Sequence, residues 1–360
     1  MDDKKVTVIG GGNIGTQFAC TCASKGYEVT VFSSKPEKYD GVLEIIDEND
    51  KVIVGKIAKV TSSIAEAMEE CRFVFVAQPA FMLKHIAEQL LPYIKPEMSI
   101  CVLPGTGGAE FAFRKCIKAG AVLCGIQRVP SVARLEQYGK RVRCEGRRDS
   151  LYLAAIPTEK APELAAFMSF LFGIPCYTLP NYLSVTLTPS NPILHTARLR
   201  TLFEDFEEGK IYDRNPLFYG EWSDSSSELL LACDEELQKI CRQIKGLNLS
   251  NVRSLKLHYE SNTVPAMTAK IRSIKSLHNL SSPMKKVKNG WVPDFTSRYF
   301  TADFPYGLAI IEELAEIVGI EIPNIRATMV WYRKITGNKN RFEFSEYGIK
   351  TIEDLYRLYK

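Results

Sequence analysis

Charge of one sign is what this chain of 360 residues lacks most plainly. Its 46 lysines and arginines stand against 42 aspartates and glutamates, for a formal net charge of +4. Near-balance of that kind gives no electrostatic footprint for nucleic acid or an anionic membrane, and neither is expected as a partner. Long hydrophobic runs are also missing. The longest, LAAFMSFLFGI at 164–174, is too short to span a bilayer. The N-terminal MDDKK leads directly into a strand pattern and leaves no room for a signal peptide. Histidine is scarce, at 4 residues. Cysteine is plentiful, at 10, yet no C-x-x-C pair occurs, and most thiols lie in apolar runs such as SICVLPG and AVLCGI. That usage predicts reduced, buried thiols in a cytoplasmic protein and no metal site.

What is present reads as two domains, since single cores rarely grow beyond about 250–300 residues. In the first half, β-rich runs at 5–9, 27–32, 72–77, 98–103, 121–126 and 150–156 alternate with helical patterns at 13–25, 62–70, 80–94, 107–119 and 158–173. Continuous apolar strands alternating with helices predict a parallel sheet covered on both faces. The stretch LEIIDENDKVIVGKI reads as an inserted hairpin. From about residue 180 the pattern changes to helical spacing, as in LLLACDEELQKICRQI and LAIIEELAEIV. The fold class is therefore α/β followed by all-α: a Rossmann-type domain over 1–180 and a helical domain over 181–360. The basic stretches at 281–290 and 333–341 read as solvated loops.

The run VTVIGGGNIG places Gly10, Gly12 and Gly15 between a strand and a helix, the context that gives G-x-G-x-x-G its meaning. Gly10 serves the tight turn, Gly12 the approach of a pyrophosphate, and Gly15 the close packing of helix on strand. The helix start at Asn13 and Ile14 offers free N–H groups and a partial positive charge to the phosphates. A dinucleotide is therefore the expected cofactor. An NAD site usually ends its second strand on a carboxylate, and here Ser33, Ser34 and Lys35 stand instead. Two hydroxyls and an ammonium suit a 2′-phosphate, so NADP is preferred over NAD. Further strand ends at Gln78–Pro79 and in PGTGG, with Gly105 and Gly107, are expected to border the nicotinamide and its ribose.

Of the four histidines, His85, His258 and His278 have little around them. His195 lies in TPSNPILHTARLR, where Ser190 or Asn191 can cap a helix that begins at Pro192. Far downstream, DFTSRYFTADFPYGLAII holds Arg298, a candidate anion receptor, and Asp303, which either caps a helix or pairs with His195. Spacing alone does not join the three.

The motifs GGGNIG (10–15), PGTGGAEF (104–111), NPILH (191–195) and RYFTADFPYGL (298–308), in this order over nearly the full length, resemble those of the opine dehydrogenase family, which includes octopine and nopaline dehydrogenases. The resemblance implies a Rossmann-type domain followed by a helical one. It also implies reductive condensation of an amino acid with a 2-oxo acid through an imine that NAD(P)H reduces. It gives His195 the role of general acid/base, Asp303 that of its partner, and Arg298 that of holding a substrate carboxylate, with Asn191 also binding substrate. The segment GIQRVPSVARLEQYGKRV (125–142) departs from the family pattern. There Gln127 and Arg128 are the substrate-binding candidates, and Arg128 with Arg134 favours an additional carboxylate. The partners expected are small molecules, with room for a homodimer. Two other readings stay open: an NADP-dependent 2- or 3-oxo acid reductase without amine condensation, and a non-catalytic dinucleotide-sensing protein.

Overall fold

Alternation along the strands decides the first layer of the structure. Val6 and Val8 of the first strand, with Phe75 and Cys101 of later ones, enter one core cluster. Ile9, Val74, Val76, Ile100 and Val102 enter another. A sheet with a separate core on each face needs apolar residues at every position, which is why these strands read as continuous hydrophobic runs. The computed structural model describes residues 2–359. The chain divides into two compact units, Met1–Thr186 with Tyr359, and Leu187–Leu358.

The strands of the first unit are β1 (Asp2–Ile9), β2 (Glu28–Phe32), β3 (Val42–Ile46), β4 (Val52–Lys56), β5 (Lys59–Thr61), β6 (Cys71–Val76), β7 (Ser99–Val102), β8 (Val122–Ile126), β9 (Val132–Gln137), β10 (Arg141–Glu145), β11 (Leu151–Ile156) and β12 (Cys176–Thr178). Eight form one sheet in the order β12-β11-β8-β7-β6-β1-β2-β5. The chain leaves β1 toward β2 and later returns to pair β6 on its other side, so the carboxyl ends of β1 and β6 flank a topological switch point.

Two expectations need correction. The sheet is not wholly parallel, because β11 runs antiparallel to β8. No helix separates these two strands; the chain detours through β9 and β10, so no helical crossover carries it back to the parallel direction. The inserted hairpin β3–β4 also does not stand alone. β10 pairs parallel with β3 and antiparallel with β9, building a second sheet in the order β4-β3-β10-β9. It packs on the helix Asn13–Ser24, whose Cys20 thiol reaches the Leu43 carbonyl at 3.3 Å.

In the second unit, the helix Asp224–Gln243 buries Leu230, Cys233, Leu237 and Ile240, as its spacing predicts. The helices Pro192–Leu202, Ala309–Val318 and Pro323–Thr336 surround it. The division at Thr186/Leu187 falls later than the expected 180/181, because the turn Leu183–Thr186 sits on the first unit and Val185 is part of its core. The basic stretch 281–290 is not a plain loop: Met284–Val287 and Gly290–Pro293 pair as a hairpin. Among the described residues no helix is long and apolar enough to cross a membrane.

Candidate active site

At the carboxyl end of β1, Gly10 takes φ +115°, and its missing side chain leaves room for the Ala77 carbonyl and the Gln78 amide. A Cβ on Gly15 would lie 1.8 Å from the Gly10 carbonyl oxygen, so helix and turn meet as closely as they do only because Gly15 is glycine. Gly12 is different: nothing lies within 4 Å of the position its Cβ would take, and the residue is exposed. It precedes the helix Asn13–Ser24, whose first turn holds no acidic residue and receives no side-chain cap. Open space above a glycine, at an uncapped N-terminus of twelve helical residues, fits a dinucleotide pyrophosphate.

Around this turn the other expected residues divide. The Asn13 side chain accepts a hydrogen bond from the Leu135 amide at 2.9 Å, while Ile14 packs against the core. Ser33 is buried and its hydroxyl lies 2.8 Å from the Tyr138 hydroxyl, whereas Ser34 and Lys35 are exposed. Gln78 and Pro79 follow β6 and are half-buried. Gly105 is buried against Gly125, and Gly107 is half-buried with φ +81°. Gln127 is buried and donates to the Ser184 carbonyl at 2.8 Å, and Arg128 is half-buried. A surface depression lined by Glu69, Glu70, Pro92, Tyr93 and Lys95 lies toward the amino ends of the strands and holds none of these residues.

In the second unit, Pro192 opens the helix Pro192–Leu202 and brings His195 in as its fourth residue. Of the two expected capping candidates, Ser190 and Asn191, Asn191 is the residue before that helix and its side chain makes no capping bond, because its own backbone already has helical angles. Asp303 does not cap a helix either. Its carboxylate lies 2.8 Å from His195 Nδ1, with 8% and 15% of the two side chains exposed. The path of the chain explains the approach. Phe304 stacks between Phe300 and Tyr332, at 6.0 and 4.3 Å between ring centres. The next turn is a π-turn, Phe304–Leu308, in which the Leu308 amide reaches back to the Asp303 carbonyl. A Cβ on Gly307 would lie 2.7 Å from Pro192 Cβ, so this glycine lets the Asp303 segment rest against the start of the His195 helix.

His195 Nε2 lies 2.8 Å from the Tyr219 hydroxyl, and the imidazole meets the Tyr299 ring edge-on at 4.6 Å. Burial pushes the Tyr219 phenol well above its usual pKa, while the Arg298 charge favours its ionised form. Arg298 is exposed, lies over the Tyr299 ring at 5.7 Å, and makes no ion pair among the described residues. Sequence reasoning missed Tyr219. It sits on an irregular segment 24 residues from His195, and no periodicity or spacing marks it.

The helical domain of the NAD/NADP octopine/nopaline dehydrogenases matches residues 178–336, and the N-terminal domain of NAD-dependent glycerol-3-phosphate dehydrogenase matches residues 5–107. Tauropine dehydrogenase from Arabella iricolor is 26% identical, with 93% of this chain and 92% of that protein aligned. Octopine dehydrogenase from Pecten maximus is 26% identical over 93% of this chain and 91% of that protein. A solved structure of octopine dehydrogenase with NADH and L-arginine superposes with a TM-score of 0.84 at 23% identity, covering 99% of this chain and 98% of that one. Yersinopine dehydrogenase with NADP+ bound superposes at 0.67 and 13% identity, over 98% and 97%; both show a shared fold. The second unit thus matches the helical domain of the octopine/nopaline dehydrogenases, and the whole chain is similar to opine dehydrogenases over nearly its full length, which supports an NAD(P)-dependent oxidoreductase.

Proposed function

We propose that the protein is an opine-type dehydrogenase acting on CH–NH bonds. It condenses the amine of an amino acid with a 2-oxo acid and reduces the resulting imine. The observation that carries this reading is the buried Asp303–His195 pair, with an exposed Arg298 in the same unit that makes no ion pair among the described residues. Arg298 grips a substrate carboxylate through two parallel hydrogen bonds and orients the carbon to be reduced. His195 serves as general acid/base, because imidazole gives and takes protons near neutral pH. Asp303 holds Nδ1 protonated and the ring in one orientation. Asn191, Gln127 and Arg128 contribute to substrate binding at the strand end and helix start that carry them.

The N-terminal amides of the helix Asn13–Ser24, with Gly10, Gly12 and Gly15, hold the pyrophosphate of the dinucleotide. Gln78, Pro79, Gly105 and Gly107 border its nicotinamide half. When bound, this cofactor supplies the hydride. We assign NADP as the preferred form: no carboxylate stands at Ser33–Lys35, and the exposed Ser34 and Lys35, the latter over the Tyr138 ring at 5.8 Å, are the groups to meet a 2′-phosphate. Ser33 supports that turn through Tyr138. The solved octopine dehydrogenase structures carry arginine, pyruvate or agmatine, so an amino acid with a short 2-oxo acid is the first pair to test.

The test is a screen of amino acids against pyruvate and 2-oxoglutarate, following consumption of NADPH and NADH. The expected result is oxidation that requires both the amine and the oxo acid, and is faster with NADPH. Oxidation by the oxo acid alone would move the protein to the simple reductases. Dinucleotide binding with no turnover on any pair would leave it a sensor.

A further inference from the structure

Both ring nitrogens of His195 are already taken. Nδ1 faces the Asp303 carboxylate, which when ionised can only accept, so Nδ1 carries the proton. Nε2 faces the Tyr219 hydroxyl. An imidazole held on both sides reaches a third molecule only by giving up a bond, and giving up Asp303 would strand a largely buried carboxylate. The outlet is therefore on the Tyr219 side.

We propose that Tyr219 is the terminal proton donor of this site, so that Asp303, His195 and Tyr219 form one relay and the phenol, not the imidazole, delivers the proton to the substrate. This rests on the reading under Proposed function and deepens it. In the reductive direction the Tyr219 O–H bond breaks and an N–H bond forms on the imine nitrogen, while the hydride supplied by the NAD(P)H of the proposed reaction adds to the carbon. The tyrosine oxygen takes its replacement proton from Nε2 of the imidazolium. His195 is left neutral, with Nδ1–H still on Asp303, and is recharged by water. The two electrons of the hydride reduce the C=N bond, and one proton is consumed.

Two independent features support this assignment. Arg298, exposed and without an ion pair among the described residues, acts electrostatically on the Tyr219 phenol. Its positive charge favours the ionised phenol, against burial and the neighbouring Tyr299, Tyr259 and Asp303, and so helps to steady a transient tyrosinate. The second feature is Arg198, one helical turn after His195 and 4% exposed. Its guanidinium donates to the carbonyls of Phe218 at 3.0 Å, Leu217 at 3.4 Å and Glu221 at 2.7 Å, and to the Ser226 hydroxyl at 3.3 Å. It makes no ion pair among the described residues, and burial lowers its pKa to about 10. A buried cation devoted to carbonyls on both sides of Tyr219 fixes that backbone, so one helix holds His195 against the phenol and Arg198 against its main chain. Arg198 is a positioning residue.

Tyr219→Phe keeps the ring that packs on Phe218 and Trp222, so the fold is expected to persist. On the best pair from the substrate screen, kcat should fall about 100-fold, within the range of general-acid catalysis, with dinucleotide affinity unchanged. In mixtures of H2O and D2O the wild-type rate should depend non-linearly on deuterium fraction, as two moving protons require, and the variant linearly. Arg198→Lys, a single point donor in place of a fork, should lose activity yet keep the non-linear dependence. A Tyr219→Phe enzyme as fast as wild type, or faster because Nε2 has been freed, would overturn the relay. If the wild-type protein turns over no pair, the functional reading fails, and the relay is then judged by nitrogen NMR of His195 in the free protein. A neutral ring protonated at Nδ1, with only the Nε2 signal moved in Tyr219→Phe, supports it; a neutral ring protonated at Nε2 rejects it.

Discussion

His195 combines a rigid mount with a fixed tautomer, and each comes from a different part of the chain. The mount is local, because Pro192 starts the helix and the histidine follows one turn in. The tautomer is set by Asp303, 108 residues away in sequence. His195→Ala should therefore lower turnover by about 10²–10⁴-fold while leaving dinucleotide affinity, followed by fluorescence quenching, unchanged. Asp303→Asn should also lower turnover, since an amide can donate to Nδ1 and so favours the wrong tautomer. Retention of near-normal turnover in His195→Ala would remove it from the chemistry. At this scale the sequence is legible where a motif is a local code. N-P-x-x-H announces a helix start, and G-x-G-x-x-G announces a phosphate turn. Tyr219 and Arg198 carry no such code, because what matters in them is the direction of a side chain on an irregular segment and of one in a helix interior.

At the scale of elements, glycine sets distances that no charged residue reports. Gly307 lets the segment behind Asp303 lie against Pro192, and a methyl group there would meet Pro192 Cβ at 2.7 Å. Both sides of that contact are ring or backbone, so relief requires one element to shift. Gly307→Ala is expected to cost about 1–3 kcal/mol in urea unfolding and to lower kcat, by parting His195 from Asp303. Loss of stability without loss of kcat would show the elements moving together. Six of the eight main-sheet strands are legible as apolar runs, whereas the short edge strands β5 and β12, three residues each, are not. Nor is the second sheet: β3 pairs with β10 across nearly a hundred residues, and Arg141 opposite Glu44 is invisible to any window along the chain. The strand at 150–156 is legible but its antiparallel direction as β11 is not, since strand direction depends on what lies between strands rather than on their composition.

Across the whole molecule, buried carboxyls shape the expected response to pH; burial raises Asp234 and Glu312, and Glu110 is the fully buried one. Glu110 is fully buried in the first unit and accepts from the hydroxyls of Thr186 at 2.7 Å and Tyr359 at 2.8 Å. Burial raises its pKa from 4.5 to about 7 in spite of these bonds. The folded state therefore keeps a proton that the unfolded chain releases, and stability falls as pH rises from 4.5 to about 7. The full effect is about 3 kcal/mol as an upper bound, at 1.36 kcal/mol per pKa unit. Thermal unfolding between pH 5 and 8, compared with Glu110→Gln, measures it: the wild type should lose more of its melting temperature than the variant over that interval. Equal slopes would show that Glu110 stays ionised throughout.

The burial of the thiols has a consequence for how the molecule's motions can be followed. All ten cysteines are free, and all but Cys176 and Cys241 are buried. Burial pushes Cys116 and Cys144 up to about 11, far from the thiolate that alkylating reagents attack. The eight buried thiols should therefore be alkylated slowly, and each modification of one of them should mark an opening event. Eight of the ten thiols belong to the first unit, and Cys233 and Cys241 to the second. Peptide mapping after timed alkylation then gives each unit its own clock. NADPH should slow the first-unit clock if that unit binds it, which makes the native cysteines a label-free footprint of cofactor occupancy.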